Sequence, residues 1–276
     1  MEDYGIGHGC SVSWGKGYVQ TEYMPYCDTP DVDPTPRDTS KAPLNQQAPE
    51  FLSNSKVQQI KYLSTLSAAT DQEIIDGLNK FIEAYGHWIS IKKASVEEND
   101  FKENEKEVAF NELTKCSADY ERLKHNLETY LIVGSDNLKK FRLMNTSMFI
   151  QMWHGKYAGK DEIKQKMDDA SFNGFNADFY KSCNDDIFQT GISSGWRAFQ
   201  LAFILLNLDG ILDDTPDNLN RNELVDLVWF PTGGGKTEAY LGLISLTILH
   251  RRMQHKERGG GTAAIMRYTL RLLTLQ

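Results

Sequence analysis

A chain of 276 residues with 40% hydrophobic content is long enough for one or two domains with a buried core, and a mean hydropathy of −0.48 excludes a membrane composition. Thirty Lys and Arg against 38 Asp and Glu leave a net charge of −8, which by itself argues against nucleic acid as a partner. The first nine residues are acidic and glycine-rich and do not read as a secretory leader; the apolar run 201–208 is too short to span a bilayer, and Cys10, Cys27, Cys116 and Cys183 show no C-x-x-C spacing, so a cytoplasmic protein with reduced thiols, no zinc site and no membrane partner is expected.

In chain order, residues 1–55 read as a β-hairpin, with strands over 10–14 and 18–23 about Gly15-Lys16-Gly17, followed by an acidic linker in which residues 25–50 hold six of the eight prolines. Residues 56–153 read as a helical region. Thr70-Asp71-Gln72-Glu73 is a capping box, and Ile74, Leu78, Phe81, Tyr85 and Trp88 follow at steps of four and three. After a charged stretch the spacing returns in Ala109, Leu113, Cys116, Tyr120, Leu123, Leu127 and Tyr130, which predicts an antiparallel, coiled-coil-like helical hairpin. Such a hairpin either docks a partner or simply buries its seam. His87 and His154 each stand beside a tryptophan without a nucleophile or acid at a useful spacing and read as structural. Residues 154–190 mix Gly, Asn, Asp and Phe without period, as a loop-rich connection does.

Residues 191–276 carry the chemistry. The apolar, β-branched run 224–229 reads as a buried parallel strand, Trp229-Phe230-Pro231-Thr232-Gly233-Gly234-Gly235-Lys236-Thr237 as a phosphate-binding loop, and 238–253 as a helix. Glycines let backbone N–H groups close on a phosphate and the helix N-terminus adds its positive dipole end; Lys236 then reaches the β- and γ-phosphates of ATP, and the Thr237 hydroxyl ligates Mg²⁺. Phe230 stands where the strict pattern has a glycine, so the match is to the shorter Thr-Gly-x-Gly-Lys-Thr form. A glycine-rich turn with a chance Lys-Thr is the alternative. Residues 262–266 suit the next strand, which would complete a β-α-β unit and makes the expected fold class α/β, with the start of a RecA-like P-loop lobe after the helical region. From 250 to 276 stand six basic residues and one acid, so this end is locally basic despite the overall charge, as a DNA-facing surface or a solvated helix end would be.

Two flanking elements resemble superfamily 2 helicases. Arg197-x-Phe199-Gln200 is similar to their Arg-x-aromatic-Gln element, whose amide reads the adenine edge, and Arg271-x-Leu273-x-x-Gln276 resembles the motif with which they grip a nucleic-acid backbone, with Arg267 just before it. The phrases 196–203, 227–243 and 266–276 together resemble the helicase subunit of the DISARM anti-phage defence system, the DrmA type. The resemblance implies an ATP-dependent DNA helicase working with Mg²⁺ and other DISARM-type defence subunits, with Arg197, Gln200 and Thr232 to Thr237 at the nucleotide, Lys236 and Thr237 catalytic, and Arg267, Arg271 and Gln276 on DNA. The carboxylate strand and arginine finger of such motors are not recognised in these residues, since Asp161-Glu162 follows no strand and Asp213-Asp214 precedes the loop. That predicts an N-terminal fragment, inactive and poorly soluble alone. A nucleotide-binding switch without hydrolysis and a non-enzymatic partner-binding module are the other readings.

Overall fold

The computed structural model describes residues 12–21, 56–99, 101–157, 174–183, 195–215, 223–228 and 235–267. The chain divides into two compact units, 1–33 and 34–276. In the first, β1 (Val12–Gly15) and β2 (Tyr18–Thr21) pair antiparallel with Gly15 opposite Tyr18, inside the stretch read as a hairpin.

The second unit is helical. Its described elements are α1 (Ile60–Leu63), α2 (Asp71–Glu98), α3 (Glu103–Tyr130), α4 (Asp136–Tyr157), α5 (Ala177–Ser182), α6 (Ala198–Leu206), α7 (Leu208–Leu212) and α8 (Lys236–His255). Helix α2 starts where its cap demands: Glu73 N–H donates to Thr70 Oγ1 at 3.2 Å, and Thr70 N–H donates to the Glu73 carboxylate at 2.8 Å. Those hydrogen bonds from Thr70, through its backbone and then its hydroxyl, hold the Glu73 carboxyl below the ordinary value of 4.5. Because the folded value is depressed, the cap's contribution is present above about pH 4.5 and lost as pH falls through the folded value. The melting difference between the wild type and Glu73→Gln is therefore expected to be present at pH 7 and to shrink as acid protonates the carboxyl; a difference that does not change with pH contradicts it.

Helices α2 and α3 lie antiparallel as the seam predicts, with Tyr120 donating to Glu83 at 3.2 Å and Lys93 to Ser117 at 2.9 Å. Ile74, Leu78, Phe81, Leu113, Leu123 and Leu127 are buried, while Tyr85 and Trp88 are half-buried and stacked with centroids 5.9 Å apart. Helix α4 runs through the centre of the core. Leu138, Phe141, Asn145, Met148 and Phe149 recur at three- and four-residue steps and are all buried.

The expected α/β class is overturned, because the protein is mostly helical and the described residues contain no parallel sheet; the RecA-like reading falls with it. Residues 224–228 and 262–267 have the β-branched content of strands, yet neither belongs to a ladder, and Val225, Leu227 and Ile265 are exposed. Composition makes a segment suited to a strand, but only a neighbouring strand can satisfy its backbone donors and acceptors, whereas a helix satisfies its own. Outside the hairpin, the described residues have one β-bridge, Gln59 with Gly195.

Candidate functional site

The glycine-to-helix junction is built by two helices that start side by side. Helix α8 begins at Lys236 with Gly235 as its N-cap at φ +83°, ψ +28°, a left-handed conformation that L side chains rarely adopt. Helix α6 begins after Arg197, and the Gln200 side chain joins the two starts: its Oε1 accepts from Arg197 N–H at 2.8 Å and its Nε2 donates to the Gly235 carbonyl at 2.6 Å. Gln200 is buried, so both ends of its amide are spent inside the protein. A Cβ built on Gly235 would meet Gln200 Nε2 at 2.7 Å and Glu238 Oε2 at 3.1 Å, with an Arg197 guanidinium nitrogen at 3.8 Å. Lys236 is half-buried and Thr237 exposed at the first two helical positions, where backbone N–H groups have no intrahelical acceptor.

The structure thus brings Arg197, Gln200, Gly235, Lys236 and Thr237 to one place. Thr232, Gly233, Gly234, Arg271 and Gln276 lie outside the described residues. Arg267 is exposed on the irregular stretch after α8. The Gln200 amide braces the junction, so reading a base edge would require that brace to exchange partners.

Trp196 fixes α6 in the core. It is 2% exposed, its Nε1 donates to Asn145 Oδ1 at 2.7 Å, its backbone N–H and carbonyl pair with Gln58, and its ring lies where a Cβ on Gly242 of α8 would be only 3.1 Å away. The missing side chain at Gly242 is what lets α8 approach α6 so closely.

Two polar arrangements around the junction were not read from the sequence. Along one face of α3, Arg122, Asn126 and Tyr130 recur at four-residue spacing and hold the chain on either side of α7. Arg122 binds Asp209 through Nε and NH2, each at 3.1 Å, and Asp226 through NH1 at 2.8 Å; Asn126 donates to the carbonyls of Leu205 and Leu206 at 3.0 Å; Tyr130 donates to Asp213 at 3.3 Å. Burial opposes the Arg122 charge, but hydrogen bonds to Asp226 and Asp209 outweigh it and push its pKa up. Polar residues four apart inside a long apolar seam were the available signal.

The second arrangement lies at the far end of α8. His250, buried, makes a 2.8 Å contact to Asp214 through Nε2 and a 3.3 Å contact to Lys140 Nζ through Nδ1, on the wall of a cavity of about 550 Å³ lined also by Asp136, Asp213 and Gln254. A donor-only Lys140 ammonium requires Nδ1 to accept, which would place the ring proton on Nε2, facing Asp214. Burial pushes the Lys140 pKa down against the pull of Asp136 and Asp214. Asp213 and Asp214, aligned as they are on Tyr130 and His250, serve the packing of the helices. His154 likewise contacts the Tyr180 hydroxyl at 2.7 Å, as a structural histidine does.

No helix among the described residues is long and apolar enough to cross a membrane. Taken together, these features define a mainly α-helical protein in which a glycine-capped helix start presents a Lys-Thr pair beside an Arg-x-x-Gln turn. No family model matches the chain. It is similar to DISARM protein DrmA of Bacillus paralicheniformis, 31% identical over 282 aligned residues that take in 98% of this chain, which supports a relation to the DISARM family. The chain spans 22% of that protein's length.

Proposed function

We propose that this chain is the ATP-binding N-terminal part of a DNA helicase or translocase of DISARM-type anti-phage defence, with the nucleotide phosphates on the start of α8. The observation that carries the reading is the junction itself: a left-handed glycine, φ +83°, capping a 20-residue helix that opens Lys-Thr. The residues fit the group. The first N–H groups of α8 and the helix dipole favour an anion there. Among the described residues the Glu238 Oε2 beside Gly235 is buried with no hydrogen-bond partner, which suits a divalent cation or its water better than a phosphate. ATP would supply the free energy of phosphoryl transfer to DNA remodelling. Lys236 would pair with phosphate oxygens, Thr237 would offer its hydroxyl to Mg²⁺, and Arg197 with Gln200 would hold the junction and face the base.

Exposed Arg252, Lys256, Arg258 and Arg267 would offer positive charge to a DNA backbone, and Arg271 and Gln276, which lie outside the described residues, follow them in the sequence. Partner defence subunits follow from the relation to the DISARM family. Lys236→Ala is expected to weaken a fluorescent ATP analogue by about 10- to 150-fold, the equivalent of one charge-assisted contact. Undiminished binding by the folded variant would remove the site from α8.

A further inference from the structure

The glycine run is entered through residues 223–228, and one residue of that entry is held by the helical hairpin. Asp226 stands nine residues before Gly235 and lies on the guanidinium of Arg122, with contacts of 2.8 and 3.3 Å to NH1 and NH2. The adjacent edge of the same guanidinium, which shares NH2, is bound by both oxygens of Asp209, whose side chain is 3% exposed. Arg122 is therefore fixed by the core on one edge and grips the entering chain with the other. Only arginine does this. Its planar fork offers two donor edges at a fixed angle, while a lysine ammonium is a point charge that cannot hold two carboxylates in one plane. Nothing else among the described residues restrains the entry in this way: residues 224–228 belong to no ladder, and Val225 and Leu227 are exposed.

We propose that Arg122 is a positioning residue through which the α2–α3 hairpin holds Asp226, nine residues before the Gly235 start of α8, so that the geometry of the hairpin regulates nucleotide affinity. The proposal rests on the nucleotide reading above and adds its regulation. Of the two carboxylates on the one guanidinium, Asp226 is the more exposed, so it is the one that water can take up when the link is strained. Movement of the hairpin that shifted Arg122 would be felt first at Asp226 and then at the junction.

The test is a double-mutant cycle on affinity for a fluorescent ATP analogue with Mg²⁺, using Arg122→Lys, Asp226→Asn and the pair, with Tyr130→Phe as control because it cuts a different polar link of the same interface. Arg122→Lys and Asp226→Asn are each expected to weaken binding by about 2- to 30-fold, the pair no further than the worse single, and Tyr130→Phe not at all. Additive losses, unchanged affinity in both singles, or an equal loss in Tyr130→Phe would overturn the link, the last because it would make hairpin docking in general responsible. A folded wild type that fails to bind the analogue would instead overturn the nucleotide reading, and the link with it. Asp226→Asn is isosteric and half-exposed, so it keeps the test decisive if Arg122→Lys fails to fold.

Discussion

Replacing Trp196 with alanine is expected to lower the unfolding free energy by about 3–5 kcal/mol. Four losses coincide. The ring is 2% exposed and leaves a cavity among Leu201, Ile204, Leu246 and their neighbours, which are already close-packed. Its Nε1 is the donor to Asn145 Oδ1, an atom of a residue with no exposure at all, so that acceptor is orphaned in the core. The ring is also the surface against which Gly242 lets α8 settle, so the mutation loosens α8 from α6. Finally, the backbone pairing of Trp196 with Gln58, which joins α6 to the first segment of the unit, loses the bulk that holds it in register. Chemical denaturation of the wild type, Trp196→Ala and Trp196→Phe checks the account: the phenylalanine keeps most of the volume and should cost about 1–3 kcal/mol, mainly the orphaned Asn145. A loss below about 1 kcal/mol for alanine would mean that α6 is not fixed by this ring.

Gly235→Ala should be almost as damaging from a single added carbon. An L-residue in the left-handed region costs about 1–2 kcal/mol. The new Cβ would stand 2.7 Å from Gln200 Nε2, so the buried amide must retreat and give up its bond to the Gly235 carbonyl, at about 1–3 kcal/mol more. Combining Gly235→Ala with Gln200→Ala separates the two: steric relief should return part of the loss and leave the backbone part. If Gly235→Ala melts with the wild type, α8 does not start as described.

Much of the helical half was legible in the residues. Thr70 and Glu73 marked a helix start that the structure realises, and the four-and-three spacing from Ile74 to Tyr130 marked a hairpin whose seam is buried at Leu78, Phe81, Leu123 and Leu127. Helix cues are local, because cap, period and backbone bonds all lie within a few residues of one another. The sheet expectation failed for the opposite reason. Leu224, Val225 and Leu227 have the composition of a buried strand, but pairing depends on partners far away in sequence, and here Val225 and Leu227 face solvent.

At the site, Gln200 and Gly235 each stand out in the sequence, and the structure joins them by a hydrogen bond. The use of the Gln200 amide as a brace was not legible there. That use depends on Gly235 turning its carbonyl towards α6, which only the left-handed backbone at that glycine explains. Arg122 and Asp226 were invisible as a pair, because 104 residues separate them and neither belongs to a motif.

The most direct test of the central claim is calorimetric titration of the folded chain with ATP in the presence and absence of Mg²⁺, alongside Lys236→Ala. Nucleotide sites on the start of α8 predict saturable, Mg²⁺-enhanced binding at about one ATP per chain that the variant loses. Absence of heat from a folded wild type, or equal heat from Lys236→Ala, would contradict it.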